Sequence, residues 1–218
     1  SELVDLHQGI ARHLRLFAGT AAINQFLPPL MAEYTRLHPE VQIDLEEQMS
    51  EHVVQALRDG RADVGVFVEG PDTEGLDVQD FRQDELVLIL PNKHALVGKS
   101  PLAFADALDE SWISLNPGAA LLQQQQSAAM AAGRTLKLRM QVRSFDAVGH
   151  MVASGLGIAL LPKAAALPMV RAMPLSWRPL QDDWARRQLK VAVRKEADAL
   201  VTGFRDFLHR PSRNAKAA

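Results

Sequence analysis

The sequence predicts an α/β protein with two lobes, joined by two crossover strands, and a ligand cleft between the lobes. Short apolar runs alternate with segments of helical periodicity, which is the pattern of parallel sheets covered by helices. This alternation begins a second time near Glu85–Pro91. The last strand and helix, between Leu189 and Leu208, have no place in the second series, so the chain is expected to return to the first lobe.

The first lobe is predicted to have the order β-α-β-α-β. Phe26–Leu37 has apolar residues at helical spacing, with a break or restart at Pro28 and Pro29, because proline is comfortable only in a first helical turn. Ser50 is a suitable N-cap for the helix through Val53–Leu57. The strands of this lobe are Leu14–Ala18, Val41–Leu45 and Ala62–Val68.

The second lobe follows a polar stretch, Glu69–Asp80. Helices are predicted at Leu102–Leu108 and Ala119–Ala132, and Ser144 caps a third helix that reaches Val152. The extended segments are Glu85–Pro91, Trp112–Leu115, Leu136–Val142, Ile158–Leu161 and Leu175–Trp177. The predicted division is residues 12–87 with 188–210 for the first lobe, 88–187 for the second, and a disordered tail at 211–218.

The stretch MVASGLGIALLP, residues 151–162, has the paired glycines of a phosphate-binding loop. Such a loop must follow a strand and open a helix, because backbone N–H groups and the helix dipole hold the anion. Here the order is helix, glycines, strand. Gly155 is expected to end the helix in the left-handed conformation and Gly157 to turn the chain into the strand. The sequence therefore predicts no phosphate site at this position.

Composition narrows the possible functions. The net charge is −2 and acidic and basic residues are interspersed, so the sequence shows no basic surface of the kind that binds nucleic acid. The absence of cysteine excludes thiolate metal sites and cysteine nucleophiles. The seven histidines lack metal-ligand spacing, and no GxSxG elbow or Walker loop occurs. We therefore predict no enzyme, no metal and no cofactor. The lack of a long apolar run and of a signal-peptide pattern favours a cytoplasmic protein.

Candidate ligand contacts lie in four loops that follow strands, because ligands of open α/β sheets bind beyond the carboxyl ends of the strands. Hydroxyl and amide groups in these loops, together with the N–H groups of helix N-termini, favour a carboxylate guest. Phe67, at the end of the third strand, is expected to add an apolar wall. The candidate residues are Gly19, Thr20, Ala21, Ser50, Phe67, Asn116, Pro117, Ser144, Phe145 and Asp146.

Simple helix capping is the alternative interpretation of Ser50 and Ser144, since hydroxyls are preferred at N-caps with or without a ligand. Asp146 argues against a highly charged guest, although an acid in a first helical turn also pairs with the helix dipole. None of the four loops contains Arg or Lys, and Arg143 is next to one of them. The identity of the ligand stays open.

Five segments together resemble the C-terminal effector-binding domain of LysR-type transcriptional regulators, from about Leu14 to Leu208. They are LRLFAGTAAINQFLPPLMAEYTRLHPEVQIDL, VVQALRDGRADVGV, DELVLILPNKHAL, DAVGHMVASGLGIALLP and LKVAVRKEADALVTGFRDFL, in the family's order and spacing. The resemblance implies the fold of type 2 periplasmic binding proteins, which has two Rossmann-like lobes and two crossover strands. It also implies a small organic acid or related metabolite as effector and a role in regulating transcription.

The resemblance further implies partners. Family members form homodimers or homotetramers through this domain, and the helices at Phe26–Leu37 and Ala119–Ala132 are expected to take part. They bind DNA through an N-terminal helix-turn-helix and a linker helix; residues 1–11 are expected to be the remnant of that helix, with the DNA-binding part missing from this chain. The alternative function is a stand-alone periplasmic solute-binding protein of a transporter. An enzyme on this fold would need a catalytic constellation that the sequence lacks.

Overall fold

The structure, a computed structural model, describes residues 12–117 and 119–211 and divides the chain into two units. The first unit holds the chain up to Arg82 and from Gln188 onward, and the second is Gln83–Arg187. The first boundary lies at 82/83 rather than at the predicted 87/88, inside a long strand. The predicted linker-helix remnant at 1–11 and residues 212–218 of the predicted tail lie outside the described residues.

Strands and helices alternate along most of the chain. The first unit begins with β1 (Arg12–Ala18), α1 (Thr20–Gln25), α2 (Leu27–Leu37), β2 (Val41–Glu47), α3 (Ser50–Arg58) and β3 (Val64–Val68). The crossover strand β4 (Leu76–Pro91) leads into β5 (Trp112–Leu115), α4 (Ala120–Ala131), β6 (Leu138–Val142), α5 (Phe145–Ala153), β7 (Ala159–Pro162), α6 (Lys163–Ala172) and β8 (Leu175–Pro179). The second crossover strand, β9 (Arg186–Arg194), returns to the first unit, which ends with α7 (Ala199–His209). The predicted pair of crossover strands is confirmed.

The first unit is a sheet covered by helices on both faces. Its strand order begins β2-β1-β3-β9, with β1 parallel to β2 and β3, and β9 antiparallel to β3. Successive residues of β1 point to opposite faces, so Leu16 packs in the cluster that contains Tyr34 and Phe204, whereas Phe17 packs with Val53 of α3. The helix restart predicted at the two prolines is confirmed, because α1 ends at Gln25 and both prolines lie in the first turn of α2.

The second unit combines two small sheets around one apolar core. Strands β7 and β8 pair antiparallel with the second half of β4, and β5 pairs parallel with β6. Trp112 is fully buried in this core, packs on Phe104 and donates its indole N–H to the carbonyl of Ala107 at 3.1 Å. Its polar atom is therefore satisfied, which is what burial of a tryptophan requires. Among residues 12–117 and 119–211, no helix is long and apolar enough to cross a bilayer.

The two glycines of MVASGLGIALLP serve the scaffold in different ways. Gly155 has a φ of +79° and follows the last turn of α5, so the predicted left-handed helix end is confirmed. Gly157 allows a close approach: a Cβ there would lie 2.6 Å from the carbonyl oxygen of Ser111, just before β5. Any side chain at 157 would push β5 and the start of β7 apart.

Three elements differ from the prediction because tertiary contacts override the local pattern. Strand β4 begins at Leu76, within the stretch expected to be a polar connection, because it pairs along β9. Helix α6 was not expected near Pro168, yet it forms with Ala166 and Met169 buried against the core. The helix expected at Leu102–Leu108 is a single 3₁₀ turn, Phe104–Ala107.

A buried ion pair joins the crossover strands β4 and β9. The guanidinium of Arg187 donates two hydrogen bonds to the carboxylate of Asp84, one of them from Nε to Oδ1 at 2.8 Å. The two side chains are only 4% and 1% exposed. Neither charge can stay buried alone at acceptable cost, so the pair requires both strands to be in place.

A second charged cluster holds the first unit's sheet together at the start of β3. Asp63 accepts hydrogen bonds from the backbone N–H and the guanidinium of Arg15 in β1, at 2.9 Å each, and Arg194 of β9 lies 3.8 Å away. Partial burial opposes ionisation of the carboxyl, but the hydrogen bonds and charges of the arginines outweigh it and lower the pKa of Asp63.

Replacing Arg187 by alanine is expected to lower the free energy of unfolding by about 3–5 kcal/mol, because Asp84 would remain as a buried unpaired charge. Urea unfolding followed by circular dichroism measures the loss. Arg186→Ala is the matched control: its side chain is exposed and contacts only the neighbouring 180–183 loop, so a change below about 1 kcal/mol is expected. Equal losses in both variants would contradict the role of the buried pair.

Asp63→Asn is expected to lower the free energy of unfolding at neutral pH, and to lower it by a smaller amount in acid. The folded-state pKa of Asp63 lies below its ordinary value, so its stabilisation is fully present above about pH 4–5 and is lost as the pH falls through the folded-state pKa. Unfolding curves of the variant and parent at pH 7 and pH 3 measure the difference. The exposed Asp59→Asn provides the control. If Asp63→Asn lowers the free energy of unfolding as much at pH 3 as at pH 7, the stabilising role of the ionised Asp63 is wrong.

Candidate functional site

The carboxyl ends of β1, β2 and β3 lie at one edge of the first unit's sheet. The N–H of Gly19 donates to the carbonyl of Val66 at 3.0 Å, and the N–H of Gln48 donates to the carbonyl of Ala18, also at 3.0 Å. These bonds connect the loop after β1, the loop after β2 and the end of β3. The loops that contain Gly19, Thr20 and Ser50 therefore lie at this edge, as expected for parallel strands.

Thr20 begins α1 at this edge, and its hydroxyl has a partner that was not predicted. Its Oγ1 donates to Oε1 of Glu47 at 2.6 Å. Glu47 was missed because β2 was expected to end at Leu45, whereas it continues to Glu47. The exposed Glu46 lies beside it, so this edge carries more negative charge than the predicted residues alone indicate.

Ser50 does not cap α3, contrary to the prediction. Met49 is the N-cap residue and no side chain caps the helix; Ser50 is the first helical residue. The Ser50 hydroxyl instead accepts a hydrogen bond from the backbone N–H of Val68 at 3.3 Å, and its side chain is buried. The serine thus ties the start of α3 to the end of β3, a long-range contact that local propensity does not reveal.

Two further predicted residues of the first unit are part of its core. Ala21 is buried against the sheet. Phe67 is 1% exposed and belongs to the cluster around Phe17 and Val53. A contact between Phe67 and a ligand would require its ring to leave this cluster, so the apolar wall stays a prediction.

In the second unit, the loops after β5 and β6 share an edge. Leu115 and Val142, the last residues of these parallel strands, are paired, and Nε2 of Gln141 donates to the carbonyl of Leu115 at 3.4 Å. Asn116 is half-buried directly after β5, and Pro117 is exposed. The structure therefore places these two residues next to the loop that contains Ser144.

Ser144 is the N-cap of α5, which confirms that prediction. Its Oγ accepts a hydrogen bond from the N–H of Ala147 at 3.1 Å. Phe145 is buried in the core, whereas Asp146 is exposed in the first turn. The preceding residue, Arg143, is exposed and forms no ion pair within the part of the chain that the structure describes. Its guanidinium is thus a cation at this edge that is available to an anion.

Three of the four helices that begin at these edges start without a side-chain cap. They are α1, α3 and α4, whose N-cap residues are Gly19, Met49 and Ala119. The N–H groups of an uncapped first turn have no intrahelical partner and carry the positive end of the helix dipole. Both edges therefore offer hydrogen-bond donors. Residues 12–117 and 119–211 contain no cluster of His, Asp or Glu that could hold a metal ion.

A buried polar pair supports the edge of the second unit. The hydroxyl of Ser114, in β5, donates to Oε1 of Gln125 in α4 at 2.7 Å, and both side chains are buried. Nε2 of Gln125 has no hydrogen-bond partner among the described residues. The pair fixes α4 on β5 just behind Asn116. Its signal in the sequence is weak, a single serine inside the apolar run Trp112–Leu115.

Comparison with known proteins finds one family over almost the whole chain. The family model "LysR substrate binding domain" matches residues 7–212. The HTH-type transcriptional regulator CysL of Bacillus subtilis is 26% identical over 165 residues, which cover 75% of this chain and 55% of CysL. The chain thus spans about half the length of the curated relatives it matches.

Two solved structures have the same fold. The regulatory domain of CcmR from Synechocystis, in complex with 2-PG, superposes with a TM-score of 0.79 at 24% identity and covers 91% of this chain and 96% of that domain. The effector-binding domain of BenM with its effector benzoate has a TM-score of 0.74 at 21% identity, with 94% and 97% covered. The α/β fold of type 2 periplasmic binding proteins, expected from the sequence, is confirmed.

Ser144→Ala is expected to lower the free energy of unfolding by about 1 kcal/mol, because the N–H of Ala147 would lose its cap. Ser144→Asn keeps a capping oxygen and is expected to stay close to the parent. Urea unfolding compares the two variants. A loss of equal size in both would show that the hydroxyl does more than cap the helix.

Proposed function

The chain belongs to the LysR substrate-binding domain family, and from this premise we propose that it is the effector-sensing domain of a LysR-type transcription factor. The family match over residues 7–212 is the observation that carries the proposal. The relatives are transcriptional regulators, which argues against the transporter alternative. We further propose that the domain works in the cytoplasm and acts by binding, without catalysis.

The effector is proposed to be a small organic carboxylate. Uncapped helix N-termini at both strand-end edges supply N–H donors, which suit an anion. The relative BenM has benzoate, a carboxylate, as its effector. The Thr20, Ser50, Asn116 and Ser144 loops, with Pro117 and Asp146, are the proposed contact regions.

Arg143 is proposed to pair with the carboxylate. It stands between β6 and the capped start of α5, is exposed, and has no ion-pair partner among residues 12–117 and 119–211. At the edge of the first unit, Glu47 accepts a hydrogen bond from Thr20 and would repel a second carboxylate. The two edges therefore differ in charge, and the second unit's edge suits the anionic end of an effector.

Regulation follows if the effector binds two conformations of the regulator with different affinity, because only differential affinity shifts a conformational equilibrium. DNA binding is proposed to belong to a helix-turn-helix outside this chain. Dimers or tetramers are proposed to involve α2 and α4; Met130, in α4, is 77% exposed. An exposed methionine of this kind suits an adaptable apolar interface.

Small organic carboxylates are expected to raise the melting temperature of the domain. A ligand at 100 times its dissociation constant stabilises the folded state by about 2.7 kcal/mol, which is a shift of about 5–10 °C for a chain of this size. Differential scanning fluorimetry with benzoate and a panel of aromatic and aliphatic acids at millimolar concentration measures the shift. No shift across the panel would count against a carboxylate effector.

With an acid that gives a shift, Arg143→Gln is expected to reduce the shift strongly, because the ion pair is lost. Arg139→Gln is the matched control, since Arg139 is an exposed arginine of β6 and is expected to leave the shift unchanged. Thr20→Leu and Ser144→Leu test the two edges separately, and each is expected to abolish the shift. If the melting-temperature shift is retained in all three site variants, the acid binds elsewhere on the domain.

A further inference from the structure

The single hydrogen of the Thr20 hydroxyl is already used at the edge of the first unit's sheet. Oγ1 of Thr20 donates it to Oε1 of Glu47 at 2.6 Å. A hydroxyl has one hydrogen to donate and two lone pairs that accept. Toward a ligand, the Thr20 hydroxyl therefore presents acceptor sites alone.

Glu47 is held beside Thr20 by the register of the sheet. It is the last residue of β2 and pairs with Ala18, the last residue of β1, two positions before Thr20. The N–H of Gln48 donates to the carbonyl of Ala18 at 3.0 Å and so connects the two strand ends. Glu47 is exposed, so its carboxylate is fixed at this edge and accessible to a ligand.

The protein does not neutralise the charge of Glu47, which forms no ion pair among the described residues. The three loops of this edge, residues 18–22, 46–52 and 67–71, contain four glutamates and neither Lys nor Arg. Within the described part of the chain, Glu69 alone among these glutamates has a cation nearby, Nζ of Lys190 at 3.7 Å. The edge therefore carries a net negative charge.

Backbone N–H groups do not offset this charge. The N–H of Gly19 donates to the carbonyl of Val66, and the N–H of Val68 donates to the hydroxyl of Ser50, so neither is available to a ligand. A helix start carries about half a positive charge, and α1 has only six residues. The full negative charge of Glu47 outweighs the start of the helix beside it.

We propose that Glu47 determines the specificity of the effector site by requiring a protonated amine at the first unit's edge. An ammonium group has three donors and no acceptor, so it can bond to the Glu47 carboxylate and to Oγ1 of Thr20 together. A carboxylate in the same place would meet the charge of Glu47 and no free hydrogen of Thr20. The effector is then an amino acid or another small carboxylate with an amine, an identification that rests on the proposed effector-sensing function.

Matched acids test the requirement for an amine. Each set differs in one group, which is hydrogen, a hydroxyl or an amine: succinate, malate and aspartate; phenylpropionate, phenyllactate and phenylalanine; and benzoate with its para-hydroxymethyl and para-aminomethyl derivatives. Isothermal titration calorimetry at neutral pH measures the dissociation constants. In at least one set, the amine is expected to bind about tenfold more tightly than the acid without a donor, because it gains a hydrogen bond to a charged group.

The possible failures of the two proposals are distinguishable. Acids without a donor that bind as tightly as their amines in every set would overturn the requirement for an amine and leave a carboxylate effector in place. Tightest binding by the hydroxyl compounds would overturn the requirement for a positive charge. Binding by no compound of any set would overturn both the amine and the proposed carboxylate effector.

Glu47→Gln tests the residue itself, because its amide oxygen can still accept from Thr20 whereas the negative charge is gone. The preference for the amine over the matched acid is expected to disappear. Glu46→Gln is the matched control: Glu46 is also exposed and loses the same charge, but adjacent residues of a strand point to opposite faces, so the preference is expected to persist.

The ratio of the two dissociation constants is the informative quantity, because a general loss of structure would weaken both ligands equally. Glu47 is exposed, so the melting temperature of ligand-free Glu47→Gln is expected to match that of the parent. An unchanged ratio in Glu47→Gln, or an equal fall in both variants, would overturn the role of Glu47.

Discussion

The buried pair of Asp84 and Arg187 holds β4 to β9 at the point where both strands pass from one unit to the other. An unpaired charge there would be very unfavourable, so the folded protein requires these two positions, 103 residues apart in sequence, to be in contact. The second unit is thus an insertion into the first, with both of its ends fixed by one ion pair. The residues between these ends have an apolar core of their own, which includes the fully buried Trp112.

The positions of the candidate site residues follow from the same topology. Parallel strands deliver their following loops to a common edge, and the helices that start there present N–H groups without needing any particular side chain. The side chains then tune the charge of each edge: Glu47 makes one edge acidic, whereas Arg143 leaves a cation at the other. The two edges thus share a backbone arrangement but differ in the charge of their side chains.

Sequence reasoning succeeds where the cause is local. The apolar run of β1, the restart at Pro28, the cap at Ser144 and the left-handed Gly155 all depend on residues within one turn or strand, and each is found as predicted. It fails where a contact with a residue distant in sequence determines the local structure. Ser50 does not cap α3, because its hydroxyl accepts a hydrogen bond from the N–H of Val68. Strand β4 is longer than predicted because β9 pairs with it. Helix α6 forms despite Pro168 because its other face is buried. The order of strands and helices at the site was thus predictable, but the burial of Phe67 and the hydrogen bond of Glu47 were not.

The close approach of Gly157 to the Ser111 carbonyl has a consequence for the two ends of α5. The close approach involves backbone atoms, so it requires the absence of a side chain at position 157 and involves no side chain at the other end of α5. Substitutions around Ser144 are therefore expected to leave the close approach at Gly157 unchanged. One end of this helix is thus followed by a close approach of backbone atoms, whereas its other end presents side chains to solvent.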